Sequence, residues 1–74
     1  MKEIVGVMIE KIDNSSGIIL GPDQKEYFFS SLDILDDTKI EVGTKVVFKE
    51  ECYATNKENI YRAILISKYE EEPI

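Results

Sequence analysis

Glu26-Tyr27-Phe28-Phe29-Ser30-Ser31-Leu32-Asp33-Ile34 is the stretch whose reading decides the fold of this chain. Side chains alternate across a strand, so Tyr27 and Phe29 point to one face and Phe28 to the other. If the first pair is core, the opposite face carries a large ring in water. Such a ring is a candidate platform for stacking a base or docking a partner. Beyond Ser30 the alternation breaks, and Ser31-Leu32-Asp33-Ile34-Leu35 reads as a short helical turn capped by Ser30 or Ser31.

Outward from this strand, a period-2 pattern dominates. Ile4-Val5-Gly6-Val7-Met8-Ile9, continuing through Glu10-Lys11-Ile12, forms a first strand, with Gly6 marking a bulge or bend. Asp13-Asn14-Ser15-Ser16-Gly17 is a turn, Ile18-Ile19-Leu20 a short second strand, and Gly21-Pro22-Asp23-Gln24-Lys25 a second turn. After the polar connection Asp36-Asp37-Thr38-Lys39, residues 45–51 form a fourth strand in which Val46 and Phe48 share a face. Residues 60–66 form the fifth, after the polar turn Thr55-Asn56-Lys57-Glu58-Asn59. The pattern predicts an all-β domain over residues 1–69, a small closed or partly open antiparallel barrel of five strands. Residues 70–74 form an acidic tail expected to fray. The expected core is Val5 or Val7, Ile18 or Ile19, Tyr27, Phe29, Ile34, Ile40, Val46, Phe48, Ala63, and Ile64 or Ile66, with Ile34 and Ile40 plugging the ends.

At 74 residues and 43% apolar content, the chain supports one modest core. No apolar run is long enough for a membrane-crossing helix, and a soluble, cytoplasmic protein is expected. The lone Cys52 has no internal disulfide partner and the chain has no His, so neither a disulfide nor a zinc site is expected. Cys52 reads as a small, inert thiol. Catalysis finds no support. Gly17 and Gly21 lack the lysine and following helix of a phosphate loop, and Asp36 and Asp37 lack an apolar pocket to raise a pKa. The expectation is a non-enzyme without a cofactor.

Nine basic against fifteen acidic residues give a net charge of −6. The Glu70-Glu71-Glu72 run supplies half of that excess. Duplex binding rests on neutralising many phosphates, and that basic footprint is missing.

Several segments resemble the cold-shock domain, a five-stranded oligonucleotide-binding barrel. Gly17-Ile18-Ile19 followed by Pro22-Asp23 resembles the end of the family's first motif, K-G-F-G-F-I, and its proline turn. The stretch from Glu26 to Ile34 resembles the second motif, D-V-F-V-H-F-S-x-I, without a gap. Ile40-Glu41-Val42-Gly43-Thr44-Lys45-Val46-Val47-Phe48 resembles L-x-x-G-x-x-V-x-F, and Arg62-Ala63-Ile64-Leu65-Ile66 the closing A-x-x-V strand. The resemblance implies an oligonucleotide-binding barrel that stacks single-stranded bases on exposed aromatics.

The departures fall on those stacking positions. The chain has no Trp and no aromatic before Tyr27, and Ser30 and Ser31 stand where the second motif has His and Phe. Phe28 alone keeps the exposed ring. A stacked base contributes roughly 1–3 kcal/mol, whereas micromolar affinity needs about 8 kcal/mol. Two classes of function follow. In the first, the barrel binds single-stranded RNA or DNA weakly: Phe28 stacks a base, Ser30 hydrogen-bonds, Lys11, Lys25 and Arg62 touch the backbone, and Tyr61 supplements Phe28. In the second, it is an acidic protein-interaction module that regulates or inhibits a basic partner. Homodimerisation through an edge strand or the Phe28 face is a third option. Each residue also has a plainer reading: solvated lysines, a half-buried tyrosine at a barrel end, a ring covered by its neighbours.

Overall fold

A computed structural model describes residues 2–35 and 40–70. Its five strands are β1 (Glu3–Asp13), β2 (Ser16–Leu20), β3 (Glu26–Ser30), β4 (Lys45–Ala54) and β5 (Asn59–Lys68). They close into a barrel in the order β1-β2-β3-β5-β4. Closure leaves the body of the sheet without edges, which suits so short a chain. The connection at 36–39 and the tail at 71–74, expected to be polar and frayed, lie outside the described residues.

The barrel is not wholly antiparallel as expected: β3 meets β5 in parallel through Phe28 and Arg62, and Ile34 bridges Ile66 in the same sense. The reason is topological. β4 runs antiparallel to β1, so β5, returning antiparallel to β4, runs in the direction of β1 and β3.

Met8, Ile19, Tyr27, Phe29, Ile40, Val46, Phe48, Ala63 and Ile66 form the buried core, with Ile4, Ile34 and Tyr61 packed against it. Tyr27 and Phe29 point inward and Phe28 outward, as the alternation requires. The expected inward Val5 or Val7 is corrected: Ile4, Gly6 and Met8 face the core, and Val5 is exposed. Gly6 explains the register. A Cβ there would sit 2.6 Å from the Leu20 carbonyl oxygen and 2.9 Å from Ile19 Cγ2, so only glycine lets β1 lie this close to β2. Gly6 itself is regularly paired with Val46 rather than bulged. The bulges come later, where the register with β2 shifts between Met8 and Glu10 and between Lys11 and Asp13. The extra residues, Ile9 and Ile12, are exposed.

The turn after β3 is a 3-10 turn, Ser31–Asp33, closed by a capping box. Leu32 N–H donates to Ser30 Oγ, and Ser30 N–H donates to Asp33 Oδ2 at 3.2 Å. A second 3-10 turn, Pro22–Gln24, joins β2 to β3. Among the described residues, no helix is long and apolar enough to cross a membrane.

Candidate binding surface

The register places one outward row across all five strands. Glu10 faces Ile18, Ile18 faces Phe28, Phe28 meets Arg62, and Arg62 faces Glu51. Phe28 sits at the centre of the row and is 50% exposed. The flanking outward positions on β3 are Glu26, opposite Leu20, and Ser30, opposite Ser16. Asp13 continues the latter row on β1. The Ile9 bulge decides this composition. Without it Glu10 would share the inward face of Met8, whereas the shift brings Glu10 outward beside Ile18.

Arg62 is the one basic residue in the Glu10-Ile18-Phe28-Arg62-Glu51 row, and it is already engaged. Its Nε and one Nη donate to the same oxygen, Oδ2 of Asp33, at 3.3 and 2.9 Å. That oxygen also takes the Ser30 N–H. The strip around Phe28 is therefore an apolar centre with an acidic rim of Glu10, Glu26, Glu51 and Asp13. Asp13 Oδ1 accepts the Ser15 N–H at 2.8 Å and the hydroxyls of Ser15 and Ser16 at 3.1 and 3.0 Å. These bonds, the Ser15 N–H first, hold the Asp13 carboxyl below its ordinary value of 3.8, so it stays charged.

Of the six residues singled out from the sequence, only Phe28, Ser30 and Arg62 share this surface. The expected common face for Lys11, Lys25 and Arg62 is corrected by the register. Lys11 pairs with Gly17, which pairs with inward Phe29. Lys11 thus sits at the lip of a pocket at one barrel end, floored by Met8, Phe29, Ile34 and Ile40. Lys25 lies at the opposite end of β3, with Nζ 4.2 Å from the centroid of the Tyr61 ring. Tyr61 packs edge-on against Tyr27 at 6.0 Å, and Tyr27 against Phe48 at 4.8 Å. Tyr61 is the half-buried barrel-end residue of the plainer reading and does not sit beside Phe28. Tyr27 Oη donates to Glu50 Oε2 at 2.8 Å. Burial first, then that bond and the Glu50 charge, push the Tyr27 hydroxyl pKa far above its usual range. Among the described residues, no group of three or more His, Cys, Asp or Glu is placed to hold a metal ion.

Sequence reasoning missed the acidic rim. Asp33, which is not in the rim but pairs with Arg62, stands three residues after Ser30 in capping-box spacing. Glu10 was not legible, because its face depends on a bulge that period-2 reading does not register.

No protein-family model matches the chain, and no curated protein matches it. A solved structure described as Drosophila Unr CSD456, covering cold-shock domains 4–6, matches with a TM-score of 0.73 at 19% sequence identity. The match takes in 99% of this chain but 29% of that one, so the chain spans under a third of its length. At that identity the likeness concerns architecture, and the architecture agrees in its five-stranded barrel and its short 3-10 turn after the third strand. The chain has the cold-shock-like oligonucleotide-binding barrel fold.

Proposed function

We propose that this barrel is a non-catalytic protein-interaction module of the cytoplasm, and that its Phe28 strip docks a partner segment combining basic and apolar side chains. One observation carries the reading: the cation beside Phe28 is held by Asp33, while acids rim the ring. A phosphate backbone laid along this strip meets Glu10, Glu26 and Glu51 and finds no unpaired cation in the row. A basic segment finds complementary charge at the rim and an apolar centre at Ile18 and Phe28. Regulation or inhibition of a basic, nucleic-acid-binding protein fits this chemistry.

The second reading, weak binding of single-stranded RNA or DNA, is favoured by a different observation. Phe28 stands half-exposed on the outer face of a cold-shock-like barrel, within the stretch that resembles the family's second motif. One stacked base contributes roughly 1–3 kcal/mol, far short of the about 8 kcal/mol of a micromolar complex. Ile18 and Ser16, the outward residues opposite Phe28 and Ser30, add no ring.

The test is binding of a short peptide of alternating Arg and Leu to the wild type, Phe28→Ala, and a Glu10→Lys/Glu26→Lys double variant. Both positions are exposed, so the charge reversal leaves the fold intact. Binding weakened in both variants and by added salt is the expected result. Equal binding by all three proteins overturns the reading.

A further inference from the structure

One end of the barrel is not packed shut. A cavity of about 170 Å³ opens there, between the β1–β2 turn and the turn after β3. Its floor is the apolar set Met8, Phe29, Ile34 and Ile40, and its wall is polar, at Asp13 to Ser16 and at Ser31. Hydrogen bonds fix that wall in place. Ser31 N–H donates to the Ser15 carbonyl at 2.7 Å, tying the two turns together. The Ser15 N–H and the hydroxyls of Ser15 and Ser16 all donate to Asp13 Oδ1, which leaves Oδ2 to accept from a ligand. Lys11 stands at the same mouth, and its ammonium has no partner among the described residues. A cation and an anion, two residues apart on β1, thus border an apolar hole.

We propose that this cavity binds a free α-amino acid with a branched or aromatic side chain. The side chain fills the hole, the carboxylate pairs with Lys11 and the ammonium with Asp13. Size sets the first constraint. An apolar cavity of roughly 150 Å³ takes one benzene, so this one holds a single ring or branched chain. The floor sets the second. Four apolar side chains give a nucleobase no partners for its ring nitrogens and carbonyls, which would be buried unsatisfied. Charge sets the third. A side chain inside a peptide brings neither charge to the mouth. A simple carboxylic acid suits Lys11 but is opposed by Asp13, and a simple amine suits Asp13 but is opposed by Lys11. A zwitterion satisfies both. The cavity opens at the barrel end rather than on the Phe28 strip, and its ligand is independent of the partner proposed there.

Amide-shift titrations of ¹⁵N-labelled protein with L-leucine, 4-methylpentanoate and leucinamide test this. All three carry the same branched chain, and at about pH 6 each keeps its charged group or groups. L-leucine is expected to give saturable shifts at Met8, Lys11, Phe29 and Ser31. Each analogue, lacking one charge, is expected to bind at least about fivefold more weakly, as is L-leucine to Lys11→Met. Lys11→Arg is expected to restore binding, and Lys57→Met, which removes an exposed cation in the β4–β5 turn, to leave it unchanged. No saturable shift at those amides up to about 50 mM L-leucine overturns the proposal. So does equal binding by either analogue, or binding indifferent to Lys11→Met.

Discussion

Arg62 and Asp33, 29 residues apart in sequence, meet with two guanidinium nitrogens on a single carboxylate oxygen. The same oxygen caps the 3-10 turn through Ser30, so one atom ties the end of β3, the turn and β5 together. The pair does two things at once. It secures the parallel β3–β5 contact, and it removes the cation that would otherwise sit free beside Phe28.

Asp33→Asn tests the first role. The pair is partly exposed, 39% at Arg62 and 14% at Asp33, which limits its strength through solvent screening. The amide keeps an acceptor oxygen for the Ser30 N–H, so loss of the charge alone is expected to cost about 0.5–1.5 kcal/mol, read as a lower urea midpoint with an unchanged slope. An unchanged midpoint would show the tie to be idle.

The two neighbouring phenylalanines should respond oppositely. Phe29 is core at 7% exposure, and Phe29→Ala is expected to cost about 3–5 kcal/mol, enough to unfold most molecules of a domain this small. Phe28→Ala is expected to change stability by less than about 1 kcal/mol while removing partner binding. Thermal unfolding of both variants checks the pair. A strongly destabilised Phe28→Ala would mean that the ring is packing rather than display.

Much of this was legible in the sequence. Tyr27-Phe28-Phe29 alternated as read, the turn after β3 formed where Ser30 and Asp33 permit a capping box, and the five strands appeared in order. What resisted reading was β1. Residues 4–9 are apolar on both faces, so alternation alone does not choose between Val5 with Val7 and Ile4 with Met8; the close approach at Gly6 chooses. The bulge at Ile9 then re-aims Glu10 and Lys11, and the one at Ile12 re-aims Asp13. The outer strip consequently gains an acid, and Lys11 leaves it for the barrel end. Register, not composition, set the charge of the candidate site.

Gly17 is a second glycine required by close approach. A Cβ there would lie 2.6 Å from the Glu10 carbonyl oxygen and 2.8 Å from the Phe29 ring. Backbone gives way less readily than a side chain, so Gly17→Ala is expected to cost about 1–3 kcal/mol of overpacking. In a domain of this size each kcal/mol lowers Tm by roughly 4–8 °C. A Tm within a degree of the wild type would show that β1 and β2 separate freely there.

Alkaline stability should depend on Tyr27. Its folded pKa is raised above the ordinary 10.0, first by burial and then by Glu50, so the folded state holds the phenolic proton more tightly than the unfolded chain. That stabilisation is full below pH 10.0 and is lost as pH climbs through the folded value. Urea unfolding from pH 8 upward should therefore show stability falling above about pH 10, with a shallower fall in Tyr27→Phe. Identical profiles for the two proteins would contradict the assignment.

The most direct test of the central claim is an amide-shift titration of ¹⁵N-labelled protein at low salt. A pyrimidine-rich single strand is added to one sample and the Arg/Leu peptide to another. The account predicts saturable shifts around Phe28 and Arg62 with the peptide, lost in Phe28→Ala, and none with the oligonucleotide up to millimolar concentration. Saturable oligonucleotide shifts at those amides, with the peptide inert, would contradict it and restore nucleic acid as the ligand of this barrel.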